Sequence, residues 1–164
     1  MKKGTKKASA AKKAKGNPAG IAGLAFKHGF YLETSWILSL IFEKKAKNLL
    51  KQIERAAHVK GYTFEQSIKR IKYHHLGGRI TELEMNLDLG LIDAMRNWKN
   101  TRNTMLKDMI TMHVSHQRME RLASEGITMY KKWNKSLKSV KREMKHSAKQ
   151  TNQKAYSELD EEKK

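Results

Sequence analysis

After Pro18, its single proline, the chain has no residue that forbids a helix, and apolar side chains recur at steps of three and four from Phe26 to Met144. That spacing gathers side chains on one stripe of a helix, and the scarcity of β-branched runs argues against strands. The chain therefore reads as all-α, a bundle of four to five helices over residues 21–150. At 164 residues there is room for one domain with a real core. No run of eighteen apolar residues exists, so nothing is expected to span a membrane. The lysine-rich start lacks the apolar segment of a secretory signal. Absence of cysteine removes disulfides, thiolate zinc sites and cysteine nucleophiles, and fits a cytoplasmic location.

Charge narrows the class of partner. Lysine and arginine number 35 against 16 acids, a formal net charge of +19. Such a field attracts polyanions and speeds their encounter, without bearing on fold. RNA or another nucleic acid is the leading partner, and anionic lipid the runner-up. Residues 1–20 hold seven lysines, no acid and no large apolar residue beyond Met1. They cannot bury enough surface to fold alone and read as a disordered tail, either a solvated arm or an electrostatic tether. The remaining chain is basic in its own right.

The helices can be placed in turn. Phe30, Ile37, Ile41, Leu49, Ile53 and Ala57 set a long first helix from Phe26 to about Ala57, with Trp36, Leu40 and Leu50 widening its apolar face. Thr63 and Gln66 have the spacing of a capping box for a short helix carrying Phe64, Ile68 and Ile71, which Gly77-Gly78 should stop. Its polar face carries Lys69, Arg70, Lys72, His74 and His75. Adjacent histidines leave a helix on different faces, so no metal site is expected there. Thr81 and Glu84 offer a second capping box before a third helix marked by Leu83, Leu87, Leu91, Met95 and Trp98.

Around Leu91–Leu122 the pattern is densest. Met105, Met109, Met112, His116, Met119 and Ala123 share one stripe, read as core, on a helix from about Asn100, a plausible N-cap, to Ser124 with Gly126 as its stop. Whether the third and fourth helices break at Asn100 stays open. Beside the stripe crowd Arg102, Asn103, Lys107 and Asp108. In the last helix Tyr130, Trp133, Leu137, Val140 and Met144 form the core stripe. Lys131, Lys132, Lys135, Lys138, Lys141, Arg142 and Lys145 cover the rest, a density that favours contact with a nucleic-acid backbone. Residues 151–164 read as a frayed tail.

The run Trp98 to Lys107, W-K-N-T-R-N-T-M-L-K, resembles the signature region of HEPN domains, the small helical bundles of prokaryotic toxins and defence ribonucleases. In that family an arginine, often followed by asparagine, precedes a histidine four to six residues on. YLETSWILSLIFEKKAKNLL resembles the family's long first helix, with Glu43 as the acid after its apolar run, and LGGRITELE the segment leading into the second half. The likeness covers about Phe26 to Gln150. One departure stands out: Lys107 occupies the histidine position, Asp108 follows it, and the next histidine is His113. A lysine stays charged near neutrality, so it can hold phosphate but is a poor base unless desolvated.

The resemblance implies a metal-independent endoribonuclease without cofactors, acting in a toxin–antitoxin or phage-defence system with a partner protein. Arg102 would steady the scissile phosphate, Asn103 orient the attacking hydroxyl, and Lys107 or an unmatched histidine move protons. It also implies an isologous homodimer pairing two such motifs, with Glu43 within reach of Arg102. Glu43 and Asp108 would then offset the cationic clusters. The alternatives are a catalytically silent RNA-binding or partner-binding module and a basic architectural DNA-binding protein.

Overall fold

Where a helix can begin depends on which residue caps its free N–H groups. The computed structural model describes residues 17–54, 59, 61–78, 85–111 and 113–161, with side chains as far as residue 150. Among these the architecture is all-α, without strands. Helix α1 (Pro18–Lys27) starts where the Asn17 side chain accepts from Ala19 N at 3.1 Å, with Pro18 in the first turn, where its missing N–H costs nothing. Helix thus begins inside the segment read as tail. The lysine run 1–16 lies outside the described residues.

The long first helix expected from Phe26 is divided. Gly29, at φ +78°, takes the left-handed conformation that favours glycine, and the chain turns into α2 (Tyr31–Glu54). The Thr34 hydroxyl lies 2.7 Å from Phe30 O and 3.4 Å from Ala22 O, fastening the start of α2 to the middle of α1. Leu38, Phe42, Ala46, Leu49 and Leu50 turn inward and make α2 the central element, packed against α1 and the helices that follow. Trp36 and Leu40 sit about 160–200° around the helix from Leu38. With Phe30 they are exposed, so the apolar face was read too broadly from the sequence. Ala57 falls outside the described residues.

Helix α3 (Phe64–Leu76) follows its local signals closely. Both halves of the Thr63–Gln66 capping box form, at 3.2 and 2.8 Å. Gly77 caps the other end and Gly78 lies at φ +60°. Phe64, Ile68 and Ile71 are buried against the core. His74, assigned to the polar face, is buried instead because Glu54 at the end of α2 receives its Nε2 at 2.8 Å. The Thr81–Glu84 box lies outside the described residues.

Helix α4 (Leu89–Thr111) runs straight through Asn100, which is mid-helix and caps nothing. The break comes later, at residues 113–115, where Val114 is buried and the Ser115 hydroxyl accepts from Arg118 N at 3.2 Å. Helix α5 (His116–Glu161) then extends for 46 residues, about 69 Å, beyond the Gln150 at which its end was expected. The methionine stripe is therefore cut between two helices. Met105 and Ala123 are buried, Met119 partly so, Met109 and His116 face water, and Met112 is not described.

Gly126 stops nothing. A Cβ there would lie 2.6 Å from Trp98 Cζ2 and 2.9 Å from Leu38 Cδ1, so glycine lets α5 cross close over α2 and α4. Trp98 is held there by its indole N–H, which donates to Leu122 O at 2.8 Å, and by an edge-on contact with Phe42 at 5.5 Å. Trp133, Leu137 and Val140 continue the core along α5 as their spacing requires. No described helix is long and apolar enough to cross a membrane.

Candidate nucleic-acid interface

With Trp133 and Val140 turned inward, the lysines of α5 are forced outward. Lys131, Lys135, Lys138, Arg142 and Lys145 fall within about 80° of one another, with Lys141 about 40° to one side and Lys132 about 60° to the other. All seven are exposed. Lys138, Lys141, Arg142 and Lys145, with Gln52, Met144 and Ala148, line a cleft of about 650 Å³ along the seam between α2 and α5. Among the described residues no carboxylate lines it.

Helix α2 adds cations that the sequence reading passed over. Lys45 reaches across to Asn134, donating to Oδ1 at 3.0 Å, and its Nζ stands 5.7 Å from the Tyr130 ring. Burial, and then the like charges of Lys141 and Lys138, push its amine below the ordinary lysine range. Lys44, Lys47 and Lys51 continue outward with Leu40, Glu43 and Asn48 around a hollow of about 260 Å³. Their steps of three and four were the available signal.

Of the residues proposed for catalysis, Arg102 and Asn103 touch, while the ion pairs of Glu43 and Asp108 are made with other groups. Arg102 is only 6% exposed. Its Nη1 donates to Asn103 Oδ1 at 3.0 Å, its Cζ lies 5.0 Å from the Trp36 ring, and its buried Nε finds no hydrogen-bond partner. Burial lowers its guanidinium from the usual value, though it remains a cation. Glu43 answers other groups. It accepts from Lys47 at 2.9 Å and Lys99 at 3.4 Å, and chiefly the Lys47 bond holds its carboxyl below the ordinary range despite burial. The expected Glu43–Arg102 contact is thus corrected to Glu43–Lys99, one turn earlier on α4. Asp108 pairs with Arg118 at 3.0 Å and ties α4 to α5. Lys107 is exposed on another side of α4 from Arg102. The hydrogen-bond and ring partners of Arg102 among the described residues are Asn103 and Trp36, neither of them a proton carrier.

Ion pairs gather on α3 and the facing side of α4, whereas the one ion pair among the seven α5 cations is Arg142 with Glu143 at 3.4 Å. Arg70 pairs with Glu54 at 2.7 Å, Lys72 with Asp93 at 2.8 Å, and Arg96 of α4 with Glu65 at 2.7 Å. The Glu54 cluster carries a testable pH dependence. Burial alone would raise the Glu54 carboxyl, but hydrogen bonds from His74 and Arg70 and their charges outweigh it and hold the group below 4.5. The folded protein thus binds this proton more weakly than the unfolded chain does. The stabilisation is complete above the ordinary carboxyl value and is lost as pH falls through the depressed one. Glu54→Gln should cost about 2 kcal/mol at pH 7 and flatten the loss of stability below about pH 4.5, read by urea melts across pH. Parallel wild-type and variant curves would contradict it.

Among the described residues no three His, Asp or Glu side chains gather as a metal-binding group. Compared with known proteins, the chain matches no family model, and neither a curated protein nor a solved structure matches it significantly.

Proposed function

We propose that this protein binds RNA through its phosphate backbone, along the lysine face of α5 and the adjoining side of α2. The observation that supports this reading is the segregation of charge. On α3 and α4, Arg70, Lys72 and Arg96 are each neutralised by a carboxylate at 2.7–2.8 Å. Among the described residues Lys131, Lys132, Lys135, Lys138, Lys141 and Lys145 form no ion pair, Arg142 pairs loosely with Glu143 at 3.4 Å, and no described acid lines the cleft bordered by Lys138, Lys141, Arg142 and Lys145. Concentrated, unneutralised charge of that kind releases counterions when a polyanion binds. Labelled single-stranded RNA should bind tightly at 50 mM salt and weaken steeply by 200 mM, measured by fluorescence anisotropy. No binding at low salt, or an affinity indifferent to salt, would show that the charge serves only solubility.

A second reading rests on Arg102, a buried cation without a carboxylate partner. It makes the chain a HEPN-like, metal-independent endoribonuclease in the cytoplasm, acting with a toxin–antitoxin or defence partner. Among the described residues no proton carrier hydrogen-bonds to Arg102, so this reading needs an isologous homodimer whose second copy completes the site. It requires RNA cleavage in EDTA that Arg102→Ala abolishes, and a dimer by light scattering at tens of micromolar. An intact RNA and a monomer leave the binding function alone standing.

A further inference from the structure

The three tryptophans have different surroundings. Trp98 is 3% exposed and Trp133 0%, both in the core, whereas Trp36 is 55% exposed on the outer face of α2. The Trp36 ring is backed by Arg102, whose Cζ lies 5.0 Å from its centroid. Arg102 is itself only 6% exposed and donates to Asn103. A ring supported on one face by a fixed cation keeps its orientation, so little side-chain entropy is left to lose when something stacks on the other.

What lies next to that ring selects the occupant. One turn along α2 comes Leu40, also exposed, then Lys44, Lys47 and Lys51 around the 260 Å³ hollow. The acid beside them, Glu43, is already neutralised by Lys47 and Lys99. From Trp36 to Lys51 this stripe runs about four helical turns, aromatic at one end and cationic at the other. A second copy laid parallel on it would bring lysines towards lysines, and one laid antiparallel would find Glu43 already paired. A single-stranded nucleic acid complements both ends, since its bases offer flat apolar faces and its phosphates offer negative charge. Duplex RNA offers the phosphates but keeps its bases stacked inside.

We infer that Trp36, positioned by Arg102, is a stacking platform for one unpaired base of a single-stranded RNA whose following phosphates lie along Lys44 and Lys51, on either side of the Lys47–Glu43 pair. The inference rests on the RNA-binding reading and adds to it a preference for single strands. Arg102 here is a positioning residue and does not touch the RNA.

Intrinsic fluorescence tests this, because Trp36 is the one tryptophan that water and ligand reach. Titrating the full chain with a ten-nucleotide single-stranded RNA should quench emission in step with binding followed by anisotropy, and the matching duplex should bind without quenching. Trp36→Ala should weaken single-strand affinity by about 5- to 150-fold with an unchanged salt slope, and Trp36→Phe should recover most of it. Binding without quenching, or wild-type affinity in Trp36→Ala, would overturn the platform while leaving backbone binding intact. Self-association that shields Trp36 at assay concentration would overturn it in favour of a second copy. Absence of any RNA binding at low salt would overturn the parent reading as well.

Discussion

Changing Lys138, Lys141, Arg142 and Lys145 together to glutamate is expected to abolish RNA binding at physiological salt and to leave the fold intact. All four side chains are exposed and border the cleft between α2 and α5. If each meets one phosphate of a single strand, they contribute about 0.7 each to the slope of log affinity against log salt, or roughly 3 in all. That slope alone corresponds to a loss of about 50-fold between 50 and 200 mM salt, which the variant should no longer show. Stability should change little, because exposed surface substitutions usually fall within about 0.5 kcal/mol each. Lys45 should even gain, since Lys138 and Lys141 now push its amine down and glutamates there would favour its charge. Anisotropy across salt, with circular dichroism melts of the same samples, reads both effects. A variant that binds as the wild type does would place the interface elsewhere.

Gly126→Ala is expected to have the largest effect on stability for the fewest atoms. The new Cβ would stand 2.6 Å from Trp98 Cζ2 and 2.9 Å from Trp98 Cε2, closer than carbon atoms pack. Trp98 cannot swing aside, being bonded to Leu122 O and set edge-on against Phe42. Either α5 lifts from the bundle or the indole loses its hydrogen bond. A cost of about 1–3 kcal/mol follows, with a melting temperature lower by roughly 3–10 °C for a chain of this size. Gly23→Ala is the control. It lies within α1 with no atom within 4 Å of the added methyl, and removing a helical glycine should stabilise by up to about 1 kcal/mol. Equal melting temperatures for the two variants would contradict the close crossing.

Gly126 and Gly29 also show where reading a sequence stops. Both are single glycines in helical patterns. One sits at φ +78° and turns the chain; the other lies within a 46-residue helix and admits an indole. Which role applies depends on Trp98, 28 positions away in sequence, and no local signal carries that. The capping box of Thr63 and Gln66 and the stop at Gly77-Gly78 were legible because their partners lie within a few residues. The same holds for the core stripe of α5, whose period survives whatever it packs against. Met109 and His116 were misread because one periodic pattern spanned a turn, and periodicity does not register a break that preserves phase. At the proposed interface the α5 lysines could be read from one helix alone. Trp36 and Arg102 could not, since 66 residues separate them and only the packing of α4 beside α2 joins them. Glu43 was aimed one turn too far along α4, at Arg102 where Lys99 receives it.

Where RNA touches the protein is the claim on which the rest depends, and photo-crosslinking reads it directly. The full chain bound to a single-stranded RNA bearing 4-thiouridine would be irradiated, digested and sequenced by mass spectrometry. Crosslinked peptides should come from α2 between Trp36 and Gln52 and from α5 between Lys131 and Lys149. Crosslinks confined to α3, where Arg70 and Lys72 already hold carboxylates, would contradict the account.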